Sequence, residues 1–247
     1  MLSSSPATAK TAMCFTSRIF PEQCDCCGAR SESTRVCQEL TLASADLTIG
    51  RFTVSEVPKI DLEAATEAIE AFLRAVGAPI DSDPELRRTG ASVAKAFSQE
   101  LLSGYRSDLG EIFASATESR ANGLIAILDL PTTLMCPHHL LPSPGVTHVV
   151  YLPGKTVVGF GVVAKLAEHF SRRLALQEDY AQNVASAMVE YAQAEACLCV
   201  ANLNPLCLTA RSPHSTGARS VTKAFAGPSS ANPGFRREAL ECVAETR

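Results

Sequence analysis

Thr147-His148-Val149-Val150-Tyr151-Leu152 (THVVYL), closed by Pro153-Gly154, is the stretch on which the fold turns. Its β-branched and aromatic residues followed by a Pro-Gly turn read as a strand and its exit. Upstream, Leu124 to Leu130 (LIAILDL) reads as a second strand. Downstream come two helical stretches, roughly 162–174 and 177–194. In the second, Tyr180, Val184, Ala187, Met188 and Tyr191 recur on one side. Residues 196–202 and 218–225 then read as two further strands. The order strand, strand, helix, helix, strand, strand predicts an α+β fold with an antiparallel sheet. Working outward, Asp61 is the expected N-cap of a helix whose apolar positions are Leu62, Ala65, Ile69, Phe72, Leu73 and Val76, stopped by Gly77. A second helix is expected over 84–102. The chain is therefore divided into an extension over 1–58 and a folded domain over 59–247, with N-terminal helices at about 60–105 and the core at about 120–247.

Composition narrows the function classes. The 247 residues carry 26 acidic and 22 basic side chains, a net charge of −4, which argues against a general nucleic-acid or membrane-surface binder. No stretch approaches the roughly 20 apolar residues of a membrane span. There is no Trp and aromatics are 6%, so base-stacking platforms are not expected. The ten cysteines are unusual: Cys14, Cys24, Cys26, Cys27 and Cys37 lie early, and Cys136, Cys197, Cys199, Cys207 and Cys242 lie in the folded part. In a chain this long without a secretory signal, reduced thiols are expected, which places the protein in the cytoplasm. The first 20 residues are rich in Ser and Thr, with no acid before Glu22; an organelle transit peptide and a plain tail share that pattern.

The sharpest chemical signal is Cys136-Pro137-His138-His139. A thiolate and an imidazole three residues apart reach one zinc ion from a single turn. A catalytic zinc needs a third protein ligand and an open position, and Cys207 in PLCLTAR (205–211) is the natural candidate. The blander reading is a buried thiol beside a hydrogen-bonded histidine. With His139 as ligand, His138 points away from the metal and is placed to move a proton near neutral pH. A second signal is Gln177-Glu178 at the opening of an Ala-rich helix. That carboxylate can accept paired hydrogen bonds from a ring N–H and an exocyclic amine, or simply complement the helix dipole.

Together these runs resemble the GTP cyclohydrolase I family from Leu86 to the C-terminus. Its C-E-H-H segment followed by H-V-x-Y-x-P is similar to Cys136-Pro137-His138-His139 and then His148-Val149-Val150-Tyr151-Leu152-Pro153. The V-V/I-G before a helix corresponds to Val157-Val158-Gly159, and Q-x-Q-E to Ala175-Leu176-Gln177-Glu178. The H-x-C-M-x-x-R-G run corresponds to Pro205 through Ser212, and E-L-L-S-G-Y to Glu100 through Tyr105. Thr222 to Glu238 resembles the family's ending. The resemblance implies the tunnelling fold, a four-stranded antiparallel sheet with two helices on one face, assembled into homo-oligomeric rings, usually a decamer. It implies Zn2+ held by Cys136, His139 and Cys207, proton transfer by His138, guanine recognition by Glu178 with Gln177, and triphosphate contact by Arg211. The implied reaction opens the guanine imidazole ring of GTP, releasing formate and leaving dihydroneopterin triphosphate for pterin and folate synthesis.

The departures from the family pattern gather at the site. Pro205 stands where the family has a second active-site histidine, and Pro137 replaces the glutamate between Cys and His. Gly161 and Val162 replace a serine and a lysine, Lys165 an arginine, and Ser92 the arginine of the V-A motif, near which Lys95 remains. Lysine lacks the bidentate fork of arginine, so the implied triphosphate grip is weakened. His214 lies near Arg211 in a loop. Three readings follow. One is a GTP cyclohydrolase. Another is the same zinc chemistry on a purine or pterin without a triphosphate. The last is a deficient paralogue that forms hetero-oligomers with a complete cyclohydrolase subunit. Cys197, Cys199 and Cys242 read as packing residues, as does His169.

Overall fold

Two long strands, β2 (Ile125–Met135) and β3 (Pro142–Leu152), form the hairpin around which the domain is organised in the computed structural model. The structure describes residues 59–121 and 123–245. The extension over 1–58 and its five cysteines lie outside the described residues. With β5 (Ala196–Leu203) and β6 (Ser220–Ala226) the hairpin makes an antiparallel sheet of order β2-β3-β5-β6. A separate pair joins β1 (Thr117–Glu118) to β4 (Thr156–Val157). The helices are α1 (Leu62–Ala75), α2 (Thr89–Ala96), α3 (Leu109–Phe113), α4 (Phe160–Ser171), α5 (Gln177–Ala192), α6 (Leu206–Thr209) and α7 (Pro233–Ala244). The fold is α+β, as the strand and helix order predicts.

Strand alternation sorts the two faces of the sheet. Val149, Tyr151, Cys197, Cys199, Ala201 and Leu203 face α4 and α5, where Leu166, Val184 and Met188 complete the main core. Val150, Leu198 and Val200 face the other way and pack with Phe235 and Ala239 of α7. Cys197 and Cys199 are fully buried on one strand face, and burial pushes both thiols up, so they act as small apolar residues. Tyr180 Oη lies 2.9 Å from Thr147 Oγ1, which lies 2.8 Å from Thr132 Oγ1, a polar thread that joins α5 to β3 and β2.

Three sequence expectations are corrected. The helix expected over 84–102 is broken into a 3-10 turn at Pro84–Leu86, α2, and a π-helical turn at Phe97–Leu101. Asp83 caps the first piece through Glu85 N–H, and Ser98 Oγ donates back to Ala94 O at 2.7 Å, a bond that loosens the ladder where the π turn begins. The strand expected over 124–130 runs on through Pro131 to Met135. Proline is tolerated because β2 is an edge strand. A bulge between Ile127 and Leu130, with Asp129 at φ 54, resets its register. The strand expected to open at Thr147 begins five residues earlier, at Pro142, so His148 lies in its middle. By contrast, Asp61 caps α1 as expected, accepting from Ala64 N–H at 2.9 Å, and Gly77 follows its end at φ 81.

Candidate metal centre and substrate edge

The tip of the β2–β3 hairpin is a closed loop. Cys136 N–H donates to Leu141 O and Leu140 N–H to Cys136 O, both at 3.0 Å, with Leu140 in the left-handed region at φ 53. This loop turns Cys136 and His139 to the same side, with Cys136 Sγ 3.7 Å from His139 Nδ1. Cys207 arrives from elsewhere. Asn204 N–H donates to Pro144 O at 2.8 Å, tying the end of β5 to the start of β3, and Pro205 then caps the short helix α6. Gly145 makes that approach feasible: a Cβ there would lie 2.2 Å from Asn202 O.

As a result the ligand atoms of Cys136, His139 and Cys207 all lie within 4.8 Å of one another. Bonds of about 2.0–2.3 Å to a tetrahedral zinc put its ligands about 3.6 Å apart, close to the Cys136–His139 separation. Two thiolates and one imidazole are a soft donor set suited to zinc, and three protein ligands leave a fourth position for water or substrate. The residues present fit the ion. Burial and the neighbouring Cys136 thiol raise the Cys207 pKa, while the Arg211 charge pulls it down.

The other expected site residues fall into two groups. Arg211 reaches the metal group directly, its Nη1 lying 2.6 Å from His139 Nε2. His138 is exposed beside His139, with ring centroids 6.2 Å apart. Glu178 is exposed in the first turn of α5. That turn lies near Cys136 along the chain's contacts, because Ala175 N–H donates to Met135 O at 3.3 Å. Gln177 is held within the sheet: Nε2 donates to Ala201 O at 3.0 Å and Ser220 O at 3.3 Å, and Oε1 accepts from Ser220 Oγ at 2.5 Å. Lys165 instead borders a cavity of about 280 Å3 with Gly104, Ser107 and Arg172, and Lys95 is exposed in the last turn of α2. Val162 is buried in the main core. His214 sits exposed in a 3-10 turn, Pro213–Ser215.

Sequence reasoning did not find the partners that hold these residues. Ser220 lies 43 positions from Gln177, and no spacing rule connects them. Arg173 donates twice to Gly104 O, at 3.1 and 2.8 Å, and its Nη2 lies 2.8 Å from His169 Nε2. His169 Nδ1 in turn lies 2.6 Å from Ser107 Oγ. This buried cluster locks the chain before α3 onto the α4–α5 connection.

An α+β sheet carrying a Cys-His-Cys donor set at one end, with an arginine against it, is an arrangement suited to an enzyme that uses a metal. The chain belongs to the GTP cyclohydrolase I family, whose model matches residues 65–244. A GTP cyclohydrolase 1 from Bifidobacterium longum is 34% identical over 187 residues, covering 74% of this chain and 91% of that protein. One from Corynebacterium glutamicum is 33% identical over 189 residues, covering 76% and 95%. One from a Synechococcus strain is 33% identical over 184 residues, covering 73% and 78%. Among the described residues no helix is long and apolar enough to cross a membrane.

Proposed function

We propose that this chain is a zinc-dependent GTP cyclohydrolase that opens the guanine imidazole ring of GTP, releasing formate and leaving dihydroneopterin triphosphate. The convergence of Cys136 and His139 from the β2–β3 hairpin loop with Cys207 from α6 carries this reading. Zinc, when bound, supplies a Lewis acid that brings the pKa of water toward neutrality. His138, next to a ligand yet exposed, delivers a proton to the purine nitrogen as the ring bond breaks. Glu178 accepts from the guanine N–H edge, and Gln177 holds the α5 terminus that carries it. Arg211 takes the triphosphate through its guanidinium fork.

On this reading Lys95 and Lys165 act across a subunit boundary: Lys165 borders the separate cavity beside Gly104, and Lys95 is exposed on α2. Helix α1 supports assembly: among the described residues none of its side chains is fully buried, and Phe72 is 61% exposed. Cytoplasmic residence fits its use of reduced thiols as ligands. That Lys165 lies on another cavity also favours a second reading, in which a cyclohydrolase paralogue completes the site in a hetero-oligomer. The test is zinc-loaded protein with GTP, assayed for formate and a fluorescent pterin. Turnover that disappears in Cys136→Ser supports the first reading. Failure with GTP but turnover of guanosine or its monophosphate refutes the triphosphate requirement. Activity that appears only on adding a second cyclohydrolase chain selects the hetero-oligomer.

A further inference from the structure

On the sheet face away from α4 and α5, a cavity of about 470 Å3 opens between the strands and α7. None of the metal-group residues lines it. Its floor is two rows of paired residues, Val146–Asn202–Val221 and His148–Val200–Lys223. Three strands about 4.8 Å apart make this floor roughly 10 Å across, with the rows about 7 Å apart. Leu240 and Val243 of α7 form an apolar wall.

Asn202 Oδ1 is buried without a hydrogen-bond partner. A buried, unsatisfied amide oxygen is destabilising, and few survive in a native structure without a use. It calls for an N–H donor. Asp129, at the bulge, offers further acceptor oxygens at the cavity edge. Its N–H donates to Nδ1 of the buried His148 at 3.2 Å, which leaves the ring proton on Nε2. Arg219 and Lys223 border the same cavity, are exposed, and their side chains form no ion pair or hydrogen bond among the described residues. They call for an anionic group. Val146, Val200 and Val221 between them call for a flat apolar face.

We propose that this cavity binds a small planar heterocycle carrying an amino group and an acidic substituent. The amino N–H donates to Asn202 Oδ1, the acid lies against Arg219 and Lys223, and the ring plane lies on the valines. The inference does not depend on which reaction the metal group performs.

Pterin-6-carboxylate is a suitable probe: it is a fluorescent amino heterocycle with one carboxylate. Its binding to the full chain is read by fluorescence anisotropy. Wild type is expected to bind saturably, and Arg219→Glu/Lys223→Glu to bind at least tenfold more weakly. Val221→Trp, which fills the cavity from a position that is 47% exposed, is expected to abolish binding with the fold retained by circular dichroism. Pterin itself, lacking the carboxylate, is expected to bind more weakly to wild type than the probe does. Cys136→Ser and Glu178→Ala are expected to leave probe affinity unchanged. The proposal is overturned if wild type shows no saturable binding, or if the cavity variants bind as wild type does. It is equally overturned if affinity is lost in the Cys136 or Glu178 variant, which would place the probe at the metal centre.

Discussion

Replacing Gln177 with methionine separates two roles that the sequence runs together. The side chain makes three hydrogen bonds, two donated to the carbonyls of Ala201 and Ser220 and one accepted from the Ser220 hydroxyl. Methionine keeps the length and loses all three. A neutral hydrogen bond contributes about 1 kcal/mol net, so their sum is about 3 kcal/mol. Ser220 Oγ retains an alternative acceptor in Leu203 O at 3.3 Å, which brings the expected loss to about 2 kcal/mol. The same bonds set the position of the first turn of α5, where the Glu178 backbone begins its helix. Urea unfolding at fixed protein concentration, followed by circular dichroism, reads the stability; steady-state kinetics with GTP read the site. The expected result is a lower unfolding midpoint together with a raised KM and a smaller change in kcat, because Glu178, the proposed guanine-binding group, is displaced. An unchanged midpoint with a raised KM would refute the reasoning, since Gln177 would then be touching substrate rather than pinning the helix.

Stability is expected to fall with pH through His169, whose pKa is pushed down to about 4, first by burial and then by Arg173, with Asp108 opposing. The unfolded chain takes up this proton near pH 6.5 and the native chain does not, so stability declines from about pH 6.5 toward 4 by at most about 1.4 kcal/mol per unit. Urea midpoints at pH 7 and 5 read this, and His169→Gln should flatten the difference. Gly145→Ala forces a Cβ to within 2.2 Å of Asn202 O and is expected to destabilise by several kcal/mol, with loss of metal binding as β3 and β5 separate. Thr147→Val strands the Tyr180 hydroxyl, a loss of about 2–3 kcal/mol, whereas Thr147→Val/Tyr180→Phe should recover part of it. Additive losses in that cycle would mean the two hydroxyls are independent. Cys207→Ser is expected to reduce bound zinc, measured by atomic absorption, below one per chain.

The central order of elements was legible because each carries a local signal. The β-branched and aromatic content of THVVYL with its Pro-Gly exit, and the helical recurrence from Tyr180 to Met188, both depend only on near neighbours. That Cys207 comes together with Cys136 and His139 was also legible, from a cysteine placed shortly after a central strand. What the sequence hid were features decided by distant atoms. Pro131 looks like a strand stop, and only the edge position of β2 shows why it is not one. The break near Ser98 depends on a side chain returning to its own helix backbone. The role of Gln177 as a clasp depends on Ser220, 43 residues away. Asn202 reads as an ordinary strand residue, and nothing near it in sequence marks its side-chain oxygen as buried without a partner.

On the proposed reading, the contact between Arg211 and His139 would join the candidate metal group to the substrate grip. A guanidinium has donors only, so His139 Nε2 must be the acceptor at 2.6 Å, and the imidazole proton then sits on Nδ1, facing Cys136 Sγ at 3.7 Å. A metal held through Nδ1 would need that lone pair, so the ring proton would have to sit on Nε2, facing a guanidinium that cannot accept it. Metal ligation through Nδ1 and the Arg211 contact would therefore exclude one another. On the proposed reading, Arg211 would then be left to pair with water or with an anion such as a substrate phosphate, so that metal binding and phosphate binding would be coupled through one side chain.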